Sequence, residues 1–405
     1  MRILIVHRYF WPDTPNCGNI LWHISRHLQE EGHTVKVLTA LPSKNKLSFK
    51  NNASYEVVDH VMIRRLNLPN ESNSKFLRIY NAIKLGFAST LEILNNKYDI
   101  VVTTSIPPIL GAFFPALATY FLRNKFIYYC MDLHPEIGKI SGDFTNPILY
   151  KLLESIDNWS CKRASSIIVH SNDMKASLMK RRESIKYKID IINNFSIPSK
   201  ASIDSKFFFD IGASKNKLTV IFVGNIGRFQ GLEDVINSMT SINYRDDIEL
   251  VVIGDGLMKD KLINIANIKK VNVRLFQSQP LENIKDAIQQ SDIGLVTLSP
   301  RLIRYAYPSK TMTYLEQGRP IIACIEKDSE LVRTMQSEGY GFGISNDDIG
   351  SLPKLLINLA DDLSWKNKMN QAAFDAFDKH FSKEVILQKW SEVLLKDHFV
   401  TKVMK

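Results

Sequence analysis

Short runs of unbroken apolarity recur along the chain at residues 2–6 (RILIV), 35–39 (VKVLT), 99–103 (DIVVT), 126–130 (FIYYC) and 166–170 (SIIVH), with amphipathic, helix-like stretches between them. Strands that alternate polar and apolar residues have one wet face, whereas continuously apolar strands are covered on both faces, the mark of a parallel sheet between helical layers. The first half therefore predicts a doubly wound α/β domain over residues 1–198. After a polar passage at 198–217 the pattern starts again at 218–224 (LTVIFVG), 248–254 (IELVVIG), 271–276 (VNVRLF), 292–298 (DIGLVTL) and 319–325 (RPIIACI). A second domain of the same architecture is predicted over 215–380. Helical spacing at about 381–398, with Trp390 on it, follows the last strand of that set and predicts a helix returning to the first domain. Two such domains facing each other would leave a cleft at the carboxyl edges of their strands, where open α/β sheets bind ligands.

Composition changes this picture little: 405 residues with 45% apolar and 23% charged side chains describe a chain that folds throughout. Charge changes it more. Residues 1–200 hold 26 Lys and Arg against 16 Asp and Glu, while the remainder balances at 26 and 26, so the first half carries the whole net charge of +10. Such a one-sided balance favours an anionic partner: phospholipid, a phosphorylated acceptor or nucleic acid. Nucleic acid is disfavoured, because the basic residues, Lys180, Arg181 and Arg182 among them, form no binding motif with interleaved aromatics. The four cysteines lie far apart, with neither CxxC nor metal-ligand spacing, which fits a reducing cytoplasm. The apolar start is too short for a signal sequence and reads as a first strand. Residues 107–122 (PPILGAFFPALATYFL) are nearly uncharged but shorter than the roughly 20 residues a membrane span requires. They predict a buried helix or an element dipping into lipid beside the basic flank of Arg123 and Lys125.

Two segments carry candidate chemistry. Residues 223–233 (VGNIGRFQGLE) leave a strand, turn through Gly224, Gly227 and Gly231, and open a helix. Glycines let the backbone approach an anion, helical N–H groups point at it, and Arg228 adds a charged donor. The spacing matches neither a dinucleotide fingerprint nor a P-loop. Residues 307–322 (YPSKTMTYLEQGRPII) set Ser309 as the predicted cap of a second helix, with Lys310 and Thr311 in its first turn, again suited to phosphate. The alternative is an ordinary glycine turn and an ordinary capped helix.

With GNIGRFQGLE at 224–233, VVIGDG at 251–256, LFQSQPLENI at 275–284 and YPSKTMTYLEQGRPII at 307–322, the chain resembles bacterial glycosyltransferases of family 4, which have the GT-B fold. The resemblance covers nearly the whole length and points to the branch of the L-fucosamine transferases and the colanic acid transferase. On the N-terminal side WPDTPNCG at 11–18, with Asn16, resembles the family's first acceptor-side loop, and MDLHPEIG at 131–138 resembles the branch's D-L-W-P signature.

The resemblance implies a retaining transfer from a UDP-type nucleotide sugar, bound by the second domain, to a polyprenyl-diphosphate-linked saccharide bound by the first. It implies work at the inner face of the cell membrane in O-antigen or capsule assembly, without a metal or other cofactor; no DxD triplet occurs. Gly18 would then offer backbone to the donor diphosphate, with Arg228, Gln230, Ser309, Lys310 and Thr311. Gly224, Asn225, Gly254, Asp255, Gly256 and Gln277 would border the nucleotide. Asp132 would orient or deprotonate the acceptor hydroxyl, with His134, in place of the branch's Trp, and Glu136 as competitors and His170 as a weaker one. The broader family has an Arg and a Lys where this chain has Asn225 and Gln230, and two glutamates where it has Tyr305 and Thr313. Glu316, nearly one helical turn after Thr313, is the expected substitute for the missing ribose-binding carboxylate. A nucleotide-sugar-binding protein of impaired activity and a GT-B epimerase are the alternatives.

Overall fold

The computed structural model describes residues 1–13, 16–42, 54–71, 74–198, 210–213 and 217–403. They form two compact units, Met1–Ile197 with Tyr305–Tyr307 and Ile386–Lys405, and Pro198–Arg304 with Pro308–Val385.

The first unit holds strands β1 (Arg2–Val6), β2 (Thr34–Ala40), β3 (Tyr55–Val58), β4 (Val61–Leu66), β5 (Ile100–Thr104), β6 (Lys125–Tyr129), β7 (Ser166–Val169) and β8 (Ile189–Ile191). Its helices are α1 (Asn16–Glu30), α2 (Lys75–Asn95), α3 (Leu110–Leu122), α4 (Glu136–Ile140), α5 (Pro147–Arg163) and α6 (Asn172–Arg181). The sheet order is β3-β4-β2-β1-β5-β6-β7-β8, parallel except for the β3–β4 pair. Chain direction across the sheet reverses between β1 and β5, which pair directly. As a covered strand requires, β1 sends Ile3 and Ile5 into the core on one side and Leu4 and Val6 into the core on the other.

Three strands of this unit, β3, β4 and the three-residue β8, fall outside the apolar runs. β4 alternates buried and exposed positions, and β3 is an exposed edge strand joined to it through Asp59 and His60, both with positive φ. That two-residue left-handed turn matches the twist of a hairpin.

The second unit contains β9 (Leu218–Val223), β10 (Ile248–Ile253), β11 (Val273–Phe276), β12 (Ile293–Thr297), β13 (Ile321–Cys324) and β14 (Gly341–Ile344). Its helices are α7 (Leu232–Ser238), α8 (Lys259–Lys269), α9 (Leu281–Gln290), α10 (Lys310–Glu316), α11 (Glu330–Glu338), α12 (Leu352–Asp361) and α13 (Trp365–His380). All neighbouring strands are parallel in the order β11-β10-β9-β12-β13-β14, with the reversal between β9 and β12. The expected pair of doubly wound α/β units is therefore present.

The last helix, α14 (Lys383–Val403), packs Ile386, Trp390 and Leu394 into the core of the first unit. The Trp390 ring meets Tyr129 edge-on at 5.0 Å between centroids, and His27 Nε2 lies 3.0 Å from Ser391 Oγ. Residues 110–122 form α3, and no described helix is long and apolar enough to cross a membrane.

Candidate active site

In the second unit the candidate residues gather at the carboxyl ends of the strands, beside the β9/β12 reversal. Gly224 ends β9 with φ 121°, a conformation that favours glycine, and a β-carbon there would sit 3.9 Å from Lys310 Cε. Gly254 ends β10, and a β-carbon on it would fall 1.9 Å from the Gly224 carbonyl oxygen, so only glycine lets the two loops close up. They are laced by Ile226 N–H donating to the Asp255 carbonyl at 2.9 Å and Met258 N–H donating to the Ile226 carbonyl at 3.1 Å. The Asp255 carboxylate accepts from Ser278 N–H at 2.9 Å and from Lys259 at 2.6 Å, which ties the loop of Gln277 to that of Gly254 and Gly256. Asn225 and Arg228 are exposed on the glycine loop, and Ser299 Oγ donates to the Arg228 carbonyl at 3.2 Å beneath it.

Lys310 is the electrostatic centre of this group. Its ammonium lies 3.7 Å from the centroid of the Phe222 ring and donates to Gln230 Oε1 at 2.6 Å. Among the described residues no carboxylate pairs with it, and burial pulls its pKa down to about 7. A half-buried cation without a carboxylate partner among the described residues is poised for an anionic ligand. Phe222 was not legible as its platform, because an apolar residue inside a strand reads as core.

Tyr314, one turn along α10, explains how the platform is held. Its hydroxyl accepts from Val223 N–H at 3.0 Å and donates to the Leu295 carbonyl at 3.3 Å, bridging β9 and β12. A β-carbon at Gly294 would meet the Tyr314 ring at 2.5 Å, so that glycine makes room for the bridge.

Three expectations for α10 need correction. Ser309 stands at the N-cap position, but in helical conformation and without a side-chain cap bond; its hydroxyl is exposed instead. Thr311 is fully buried and its Oγ1 has no hydrogen-bond partner among the described residues, so it is enclosed behind the helix start. Glu316, the expected substitute for the ribose carboxylate, lies at the far end of α10, where it pairs with the buried Lys285 at 2.8 Å. Thr313 is half-buried between them.

In the first unit Asn16 and Gly18 begin α1, the side chain of Asn16 lying outside the described residues. A β-carbon on Gly18 would approach the Phe10 backbone to 3.0 Å, so glycine here lets the helix start seat against the preceding loop. Asp132 follows β6 and is half-buried; its N–H donates to Ser105 Oγ at 3.1 Å, and desolvation raises its pKa to about 6. Its charge is felt by Cys17 in the first turn of α1, which places α1 and Asp132 in one neighbourhood.

The two competitors of Asp132 differ from expectation. Glu136 puts both carboxylate oxygens on Arg181, which also holds Asp157 at 2.6 Å, so it is spent inside an ion network. Burial and the Arg181 charge lower the His134 pKa to about 4, keeping the imidazole neutral near pH 7 and unable to donate a proton as imidazolium. His170 is buried, lowered to about 4, and lies 3.1 Å by Nδ1 from the Ile192 carbonyl. One pair was not anticipated: His7, just past β1, lies 2.6 Å by Nδ1 from Thr104 Oγ1 at the end of β5, across the reversal of the first sheet. Burial lowers its pKa to about 3. Its position directly after the first apolar run was the available signal.

Comparison with known proteins agrees with this organisation. The family described as Glycosyltransferase Family 4 matches residues 18–196, and that described as Glycosyl transferases group 1 matches residues 204–373. A probable glycosyltransferase of Pseudomonas aeruginosa, WbjE, is 26% identical over 314 residues, covering 75% of this chain and 76% of its own. The crystal structure of Anabaena HepE in complex with UDP superposes with a TM-score of 0.71 at 15% identity, over 98% of this chain and all of that one. WaaG, a glycosyltransferase involved in lipopolysaccharide biosynthesis, gives 0.68 at 12% identity, over 96% and 99%. With the Glycosyltransferase Family 4 model matching in the first unit and the Glycosyl transferases group 1 model in the second, the chain is a glycosyltransferase of the GT-B fold.

Proposed function

We propose that this enzyme moves a sugar, with retention of anomeric configuration, from a UDP-type nucleotide sugar to a saccharide carried on a polyprenyl diphosphate lipid. The sugar is an N-acetylated deoxyhexose or another hexose, and the setting is surface-polysaccharide assembly, O-antigen or capsule, in the branch of the fucosamine and colanic acid transferases. The observation that carries the donor half is Lys310, an ammonium without a carboxylate partner among the described residues, held between Phe222 and Gln230 at the end of β9. Breaking a glycosidic bond to a nucleoside diphosphate leaves negative charge on the departing phosphate, and preorganised cations lower that barrier most. Lys310 and the exposed Arg228 suit the task without a metal, and Gln230 positions the first of them. The UDP bound by HepE supports a uridine donor. The basic excess of the first 200 residues supports an acceptor whose lipid diphosphate, and the leaflet around it, are anionic.

Asp132 takes the acceptor-side role. Its raised pKa leaves a carboxylate of increased basicity that is still ionised at neutral pH, suited to orienting or deprotonating the attacking hydroxyl.

The engagement of Glu316 by Lys285 favours a second reading, a binding protein with impaired transfer, because the ribose then lacks its usual carboxylate. Slow hydrolysis of a panel of nucleotide sugars, assayed with chelator present, separates the two. Release of UDP that falls about a hundredfold or more in Lys310→Ala upholds the transferase. Tight UDP binding with no release, even with lipid-linked acceptor added, would sink it.

A further inference from the structure

Helix α2 is apolar on two opposite sides. One side, with Ala82, Leu85 and Ile93, is buried in the unit. The other carries Phe76, Tyr80, Ile83, Phe87, Leu91 and Leu94 at the spacing of a single helical stripe, every one exposed, Phe76 to 77%. Neighbouring helices extend the patch. α3 packs on α2 closely enough that a β-carbon at Gly86 would strike the Phe114 ring, and it ends with Tyr120, Phe121 and Leu122 exposed, Phe121 to 70%. α5 lies beyond α3, through the Phe113 and Tyr120 contacts with Trp159, and exposes Ile148 and Leu152. A continuous exposed apolar surface of this extent is costly in water and marks an interaction face.

Charge chooses the occupant. The one carboxylate of α2, Glu92, is buried and paired with Lys36 and Arg64, so the outward side of the helix offers Lys75, Arg78 and Lys84 only. Asp143 pairs with Lys75 at 3.0 Å and its charge is also felt by Arg78, which leaves the three cations in excess over one carboxylate. At the end of α3 a shallow basin of about 1020 Å³ is lined by Tyr120, Phe121, Arg123, Lys162 and Arg163, aromatic rings beside cations, with Asp99 as its one carboxylate. A second copy docking through the same face would set these cations against their own equivalents. An anionic lipid surface satisfies both properties, since aromatic and aliphatic side chains enter the headgroup boundary while Lys and Arg meet phosphate.

We infer that the outer face of α2, α3 and α5 is the surface by which this enzyme seats itself on an anionic bilayer. The inference rests on the reading above that the acceptor is a membrane lipid. It adds which face meets the leaflet.

The test is flotation of the full chain with vesicles of phosphatidylcholine alone or mixed with phosphatidylglycerol. Wild type is expected to float with the mixed vesicles and to be released by salt. Phe76→Ser/Phe87→Ser and Arg78→Glu/Lys84→Glu, all at exposed positions, are each expected to lower the bound fraction about tenfold or more. Leu257→Ser, a comparably exposed residue of the second unit, is the control and should float like wild type. Wild-type flotation unchanged in both double variants, or no flotation of wild type, overturns the assignment. So does sedimentation showing a dimer that the double variants turn into monomers. Hydrolysis of donor in solution, measured on the same proteins, keeps the two readings apart. Its loss in wild type refutes the transferase, whereas intact hydrolysis with vesicle binding unaltered by the variants refutes only this face.

Discussion

Lys310 and Asp132 illustrate one physical device used with opposite sign. Burial penalises the charged form of each, lowering the pKa of the lysine to about 7 and raising that of the aspartate to about 6. A diphosphate placed beside Lys310 restores the favourable charge and lifts its pKa, so near neutral pH and above, binding must take up a proton. Calorimetry of UDP binding in buffers of differing ionisation enthalpy should show that uptake, with affinity falling as pH rises through and above 7; in Lys310→Met both effects should vanish. For Asp132 the ionised form is the useful one. Transfer should therefore fall as pH drops through about 6, and Asp132→Asn should cost about 10²- to 10⁴-fold in rate while leaving UDP affinity unchanged. A pH profile and a UDP titration on that variant decide the point.

At the scale of elements, positions are fixed by buried polar and aromatic anchors. Tyr314 ties α10 to both β9 and β12, so the ammonium of Lys310 is aimed by a fully buried side chain one turn further along the helix. Tyr314→Phe leaves the buried Val223 N–H without its partner, which should cost about 1–3 kcal/mol in chemical denaturation and weaken UDP binding through a displaced α10. Trp390 plays the corresponding part for α14: it is 1% exposed and packs edge-on against Tyr129. Trp390→Ala should lower stability by about 3–5 kcal/mol, read as a shifted denaturation midpoint for the first unit with UDP affinity preserved.

Across the whole molecule, chain order and compact unit do not coincide, because residues Ile386–Lys405 join the unit that begins at Met1. A fragment of residues 198–385 should fold and be stabilised by UDP in a thermal-shift assay, whereas residues 1–197 alone, lacking α14, should fail to give a cooperative transition until 386–405 are supplied. Strands buried on both faces wrote themselves into the sequence as apolar runs, and the glycine turns and Lys310 were legible as candidates by their placement after those runs. The β3–β4 hairpin escaped, since its strands are short and half wet. What neighbours do to a side chain escaped too. Lys285 reaches Glu316 from 31 residues away, Arg181 reaches Glu136 from 45, and His7 meets Thr104 from 97. The sequence by itself determined the two α/β halves and their charge imbalance, because periodicity and composition are local. Only the tertiary structure decided which carboxylates are spent on internal ion pairs, which ammonium is left without one, and which apolar helix face stays uncovered, because those depend on residues distant in the chain meeting in space.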